Sequence, residues 1–513
     1  MKLPEMQYNG DRRKQQQVQF GGVQYGRNSS EGDFAQTLNL SSRQFPALSQ
    51  RGGRKKSGDY ENATALYSKN KLVAVDGTDL LYDGEKVGTV TEGEKSIVSV
   101  NSKIIVFPDK VYYDTTAKTF GAMAESISAE AGNITWAEDS LKIAGHGDLT
   151  KRFAAGQAVK ITGSSITGNN LTIVIRGVTQ DTLSFSANSF QTGTEANTVT
   201  VAREIPDLVC ICESGNRLWG ADETTIWASA LGDPLTFYNY EGLSTDAYAV
   251  AVGTDGAFTG CVSYSSNVLF FKENTLHKVL GSMPSEYRVY DYTVPGVQNG
   301  SRKSLVVINE TLFYKGVDGV YAYDGSTPSL VSANFGMKRF EKAAAGTDGT
   351  RYYISMRETD GNVWDLFVFD PAYGVWLRED NTHVIDFARQ NTVLNMLDAK
   401  DGDVYAVEQD DSEEGRFPWE AEFTPLDDTI YGKRGYSKLW LKIELAPGAW
   451  LKAEISEDGG KWRTAGTWTN ENRQSVIAPV FPARCDTFRL RLSGMGRCVI
   501  KNMVREFDVG SER

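Results

Sequence analysis

An all-β fold is what this 513-residue sequence predicts, and three observations carry the prediction. The first is composition. There are 50 Gly, 23 Tyr, 23 Phe and 10 Trp against 14 Pro, and aromatic and β-branched residues between Gly, Asp and Asn turns read as many short strands. The second is an internal repeat of strand, polar turn and strand. The third is a C-terminal stretch in which apolar and polar residues alternate with period two. A chain of this length is too long for one core, so about three domains are expected.

The repeat is the most informative feature. It reads "KLVAVDGTDLLYDG" (71–84), "KIIVFPDKVYYD" (103–114), "RLWGADETTIWAS" (217–229) and "VLFFKENTLHKV" (268–279). It continues as "LFYKGVDGVYAYDG" (312–325), "DLFVFDPAYGVWL" (365–377) and "NMLDAKDGDVYAV" (395–407). Each copy has an apolar strand, a turn with Asp, Asn or Gly, and a second strand carrying Tyr, Trp or His. The turn residues supply the positive φ of tight hairpins. A lone hairpin cannot bury its apolar face, so the copies must stack. The spacing predicts a β-propeller of about six or seven blades over residues 59–120 and 206–410.

One gap is too wide for a blade. Residues 121–205 contain "AAGQAVKITGSSITGNNLTIVIRGVTQDTLSFSANSF", alternating strands with frequent turns, and read as a small β-barrel inserted at an exposed loop. After the acidic linker "EQDDSEEGRFPWE", residues 416–513 read as a separate β-sandwich, with strands such as "KLWLKIEL", "AWLKAEIS" and "TFRLRLSG".

Residues 1–58 differ from the rest. They hold ten Lys or Arg and four Asp or Glu, a balance of +6, which leaves −18 on the remainder of a chain whose net charge is −12. Apolar periodicity is weak there. The segment reads as an extended arm that orders only against a neighbouring subunit, burying Phe34, Leu38, Leu40, Phe45 and Leu48.

The acidic balance argues against a specific nucleic-acid partner. No apolar run reaches the ~18 residues of a membrane span, so no membrane partner is expected. The N-terminus lacks the apolar core of a secretory signal. The five cysteines are odd in number and scattered, which suggests free thiols in a reducing cytoplasm. Cys210 and Cys212 read as two buried residues on one strand face, not as a metal pair.

No catalytic, cofactor-binding or metal-binding residue stands out. "ISEDGGKWRTAGTW" (455–468) resembles the Asp-box turn of glycosidase propellers. It occurs once, outside the repeat, and Asp-Gly at a hairpin corner explains it. Acidic residues sit mostly in turn contexts, where Asp takes backbone N–H groups. His146, His277 and His383 lie far apart with no motif around them.

The stretch "ASALGDPLTFYNYEGLSTDAYAVAVGTDGAFTGCVSYSSNVLFFKENTLHKVLGSMPSEY" (228–287) resembles segments of virion proteins encoded by tailed phages. So do "NGSRKSLVVINETLFYKGVDGVYAYDGSTPSLVSANFG" and "RCDTFRLRLSGMGRCVIKNMVREFDVGSE". The pattern Ser/Ala-x-x-Gly-Asp-Pro-x-x-Phe is similar to the propeller tail-hub proteins of short-tailed phages, also called packaged-DNA stabilisation proteins. The resemblance implies a non-enzymatic virion component made in the host cytoplasm. It would be a tail hub or adaptor forming a symmetric ring of copies between the portal or neck and the tail or fibres, with those proteins as partners. The alternative is a carbohydrate-binding or glycan-depolymerising tail protein for host attachment, because propellers and sandwiches serve both roles.

Overall fold

The computed structural model describes residues 11–26, 30, 32–410, 414–426, 433–469, 475–480 and 484–509. The chain divides into two compact units. One comprises Met1–Asp59, Asp318–Tyr323 and Ser329–Arg513, and the other Tyr60–Val317 and Asp324–Pro328.

Outside residues 121–205, the second unit is built from four-stranded antiparallel sheets whose strands follow chain order. The first runs from Ala63–Lys69 to Glu85–Thr89 and the next from Ser96–Val100 to Thr119–Ala122. A third runs from Cys210–Ser214 to Tyr248–Ala251 and a fourth from Gly260–Tyr264 to Arg288–Thr293. The hairpin Val306–Ile308 with Thr311–Lys315 follows.

Each sheet packs face to face on the next. Val73, Val75 and Leu80 of the first share a core with Ile104 and Val106 of the second. Val98, Ile105 and Phe107 of the second meet Leu218 of the third. Trp219 and Ile226 of the third meet Val268 and Phe270 of the fourth. This succession is propeller-like. It explains why the inner strands read as unbroken apolar runs: "NVLFFK" is buried at five of its six positions, because both faces of the sheet are covered. The hairpins turn through consecutive left-handed residues, Gly215-Asn216, Ser265-Ser266 and Asn309-Glu310, the pairing that matches strand twist.

The insertion does not close into a barrel. It forms two four-stranded sheets around one core. One orders Glu125–Ala129, Val199–Arg203, Ala158–Thr162 and Thr172–Val174. The other orders Ile134–Ala137, Ser140–Ile143, Thr182–Ser184 and Gly177–Val178. The edge strands Thr172–Val174 and Gly177–Val178 are three and two residues long, too short to carry a ladder around a closed barrel.

In the first unit, strands from Phe340–Thr347 to Val375–Asp380 form one four-stranded sheet. Val384–Gln390, Val393–Asp398 and Val404–Gln409 form three strands of the next, and its fourth strand is Gly53–Gly58. The C-terminal strands form a five-stranded and a seven-stranded sheet around a shared core of Trp419, Leu441, Leu451 and Leu490. In Phe488–Met495 buried and half-buried residues alternate, as a sheet with one covered face requires.

Both of these sheets recruit the N-terminal segment, which corrects two expectations. The sandwich is not made from 416–513 alone, and the described part of residues 1–58 is not an arm ordered by another chain. Asp11–Gln17 and Leu48–Gln50 pair with Cys498–Val509, and Phe34–Leu38 pairs with Pro418–Phe423. Phe34, Leu40 and Leu48 are buried in the shared core, with Phe45 packed against it and Leu38 half-buried. The basic charge also finds carboxylates on the same chain: Arg51 with Glu414 at 2.7 Å, Arg54 with Glu379 and Asp380 at 2.8 and 2.7 Å, and Lys56 with Asp403 at 2.7 Å. Burial and ion pairing were the forces expected to draw the arm to a neighbour. Both are met within the chain.

Phe34 is fully buried and lies 4.9 Å from the Phe423 ring. Phe34→Ala should therefore destabilise the isolated chain by about 3–4 kcal/mol in urea denaturation. An unchanged midpoint would restore the arm that orders only on a partner.

Candidate functional site

The third sheet carries a long loop, residues 229–247, between Thr225–Ala228 and Tyr248–Ala251. Connections this long without regular structure are uncommon in compact domains and are either functional loops or linkers. This one is locked from beneath. Arg217, 2 % exposed, donates to the carbonyls of Ser229 and Ser244 at 2.8 and 2.7 Å and to that of Asp246. The Asp246 carboxylate accepts the N–H groups of Glu241 and Leu243 at 2.6 and 2.9 Å. Asp233 accepts from the N–H of Leu235 and the hydroxyl of Thr236. Leu235 and Phe237 anchor in the core with Phe107 and Leu218. On the outside, Leu231, Tyr240 and Leu243 are 45, 56 and 54 % exposed. The loop thus presents large apolar side chains from a rigid backbone.

Beside the loop lies a cleft of about 1050 Å³ lined by Trp227, Tyr238 and residues of the insertion. The Trp227 indole N–H donates to Asp222 Oδ2 at 2.8 Å. The other oxygen of Asp222 accepts the N–H groups of Thr224 and Thr225. The Trp227 and Tyr238 rings meet edge to face at 5.3 Å. Three carboxylates on the walls pair with cations: Glu125 with Arg152 at 2.6 Å, Glu204 with Lys160 at 3.1 Å and Asp207 with Lys110 at 2.6 Å. Burial, then Glu204, Asp222 and Asp207, push the Tyr238 phenol up. The sequence displayed Trp227 inside a repeat copy, but nothing in it indicated that Tyr238 and Glu204 would meet there.

The Asp-box-like corner joins Trp450–Glu457 to Arg463–Thr469. Asp458, at φ 50°, does more than turn the chain. Its Oδ1 accepts the N–H groups of Asp486 and Thr487, both at 2.8 Å, tying the corner to the start of Phe488–Met495. Trp462 stacks under Arg491 and Arg489 at 4.4 and 5.1 Å. These contacts are structural.

Elsewhere, aspartates take turn N–H groups: Asp114 and Asp398 of the repeat copies those of Thr116 and Ala117 and of Lys400, and Asp348, between two strands of the first unit, those of Thr350 and Arg351. Burial opposes ionisation of Asp114, yet these bonds and Lys103 hold its carboxyl down at about 2. His277 is buried with Nε2 2.9 Å from Thr254 Oγ1, and burial with nearby Lys272 pushes its pKa down. His383 stacks on Trp364 at 3.6 Å. Cys210 and Cys212 share one buried face, and Cys261 from the next sheet joins them in the same core, a meeting that spacing did not reveal. Among the described residues, no group of three His, Cys, Asp or Glu side chains is arranged to hold a metal ion. No described helix is long and apolar enough to cross a membrane.

No known protein family matches the chain, and no curated protein matches it. Solved structures that resemble it include an exo-β-1,3-galactanase from Phanerochaete chrysosporium bound to galactose. That likeness has 9 % identity, covers 56 % of this chain and 92 % of the galactanase, and has a TM-score of 0.23. BBS1N in complex with ARL6DN is 10 % identical over 72 % of this chain and 99 % of that one, with a TM-score of 0.33. PorZ, a surface component of the type-IX secretion system of Porphyromonas gingivalis, is 10 % identical over 81 % of this chain and 70 % of its own, with a TM-score of 0.28. At these scores the likenesses carry no functional argument.

Arg217→Met should leave the carbonyls of Ser229, Ser244 and Asp246 without their buried donor. We expect a loss of about 2–4 kcal/mol and faster amide exchange across 229–247, read by hydrogen–deuterium exchange. Unchanged protection there would mean that other contacts hold the loop. Asp458→Ala should cost about 1–2 kcal/mol, because two N–H groups lose their acceptor and Ala tolerates the left-handed backbone poorly. Asp458→Asn should fall between, since Asn accepts that conformation; thermal melts that rank Asn with Ala would remove the backbone part of this account.

Proposed function

We propose that this chain is a non-enzymatic structural component of a tailed-phage virion. Its role would be that of a tail hub or adaptor, working as a ring of copies between the portal or neck and the tail or fibres. On this reading the four-stranded repeats are propeller blades, six or seven in number, and the C-terminal sheets are a sandwich that adds contact surface. One coincidence carries the reading. The stretch that resembles the tail-hub proteins, "ASALGDPLTFYNY", is also the segment that exposes Leu231 and Tyr240 from a backbone fixed by Arg217 and Asp246. Exposed apolar side chains on a preorganised loop suit a permanent contact between subunits, because little conformational entropy remains to be lost on binding.

The reading is tested on particles. Mass spectrometry of purified virions from the host that carries this gene should find the chain at a fixed ratio to the portal protein. A triple variant, Leu231→Ser with Tyr240→Ser and Leu243→Ser, should fold with an unchanged melting profile yet be depleted from particles at least tenfold. Absence of the parent chain from purified particles would overturn the proposal.

A further inference from the structure

We propose that the cleft beside Trp227 binds a short uncharged oligosaccharide, whether or not the chain assembles into a virion. Its volume of about 1050 Å³ is at the upper end of small-ligand pockets. Its floor is aromatic and preset. Asp222 holds the Trp227 indole by its N–H, and Asp222 is itself held by two backbone N–H groups. The ring plane is therefore fixed before any ligand arrives. Tyr238 stands against this ring edge to face, with 66° between the planes, and braces it from one side. Such a surface suits the flat C–H face of a pyranose ring.

The walls decide the charge of the ligand. Glu125, Glu204 and Asp207 already face Arg152, Lys160 and Lys110, and Arg203 also lines the cleft. The lining itself has five carboxylates, with Asp222 and Glu223, and two cations, Lys110 and Arg203; Arg152 and Lys160, which pair with Glu125 and Glu204 from outside the lining, bring the local balance to five against four. A cation gains little from so balanced a surface, and an acidic sugar meets carboxylates on several sides. Hydrogen-bonding capacity remains, because an ionised carboxylate offers about four acceptor positions and an ion pair occupies only some of them. The Tyr238 hydroxyl lies within the field of Glu204, Asp222 and Asp207, and Tyr238 is a half-buried residue of the cleft lining. A ligand with many hydroxyl groups, a flat apolar face and no charge matches all three features.

Saturation-transfer NMR on the full chain tests this. The probes are maltotriose, cellotriose and triacetylchitotriose, with trigalacturonate and trilysine as charged controls, each at about 10 mM so that millimolar affinities register. At least one uncharged sugar should show transfer and the charged controls none. Trp227→Ala should weaken that binding at least tenfold. Tyr238→Phe, which removes one hydroxyl and leaves the ring packing, should weaken it about three- to tenfold with an unchanged melting temperature. Three results would overturn the proposal: no transfer from any uncharged sugar, transfer unaffected by either variant, or binding of trilysine alone. Particle incorporation of Tyr238→Phe should equal that of the parent chain, so failure here leaves the assembly reading standing and the reverse also holds.

Discussion

Each four-stranded repeat has two apolar faces and only its neighbours to bury them against. That constraint organises the second unit and recurs in the first. Trp219 and Ile226 need Val268 and Phe270 from the following sheet, just as Tyr353 and Leu366 need Phe387 and Met396 in theirs. No repeat is a folding unit alone. The connections between strands and sheets differ widely in length. One became the loop 229–247. Another accepted the whole insertion, which brings a core of its own and therefore asks nothing of the sheets that flank it. The join is nonetheless firm: Arg203 donates to the carbonyls of Met123 and Arg152 and to Gln157, and Met123 and Ile205 sit in the core between the second and third sheets.

In the first unit a second constraint operates. The N-terminal segment is held by ions taken out of water. Arg51 and Glu379 have side chains 3 % exposed, and Arg351 meets Glu408 at 2.9 Å with side chains 6 and 4 % exposed. Burial pushes the Glu379 carboxyl up, against the pull of Arg54 and Arg51. Such pairs add little net stability compared with apolar side chains of the same shape, because desolvation consumes most of the Coulomb gain. Their effect is on alternatives. Breaking one pair leaves a buried charge uncompensated, so Gly53–Gly58 has one low-energy seat. The backbone is matched to it as well: the N–H of Gly52 donates to Glu408 Oε2 at 2.6 Å, and a Cβ at Gly52 would lie 2.8 Å from the Glu408 backbone. Any larger residue would force the two strands apart.

The loop and the cleft share a rigid base and differ in chemistry. Buried Arg217 and Asp246 satisfy backbone groups that a loop of this length would otherwise leave to solvent. Outward, Leu231, Tyr240 and Leu243 offer area without polar address, which suits a protein surface. Toward the insertion, Tyr238 and Trp227 offer ring faces next to paired carboxylates, which suits a hydroxylated ligand. Tyr238 and Tyr240 both also lie against the insertion's edge strand Thr172–Val174, and Glu241 pairs with Arg176 of the insertion on the same side.

What the sequence by itself determined is what short-range physics encodes. Apolar strands joined by Asn-, Gly- and Asp-bearing turns marked the repeats, period-two alternation marked the C-terminal strands, and the left-handed backbone at Asn216 and Asn309 is the one those residues favour. The same alternation put Cys210 and Cys212 on one buried face. Only the tertiary structure decided which strands meet. Asp11 pairs with Val509 and Phe34 with Phe423, and a strand edge carries no label for a partner hundreds of residues away. The basic residues of 1–58 signalled that acidic partners exist, but Coulomb attraction is equally well met by a neighbour or by the same chain. Geometry chose Glu379, Asp380 and Glu414. The two sheets of the insertion, the junction of Cys261 with Cys210 and Cys212, and the cleft shared by Trp227 and Glu204 arise in the same way. Each depends on how far a strand runs before its pairing ends, and that length is set by packing against elements distant in the chain.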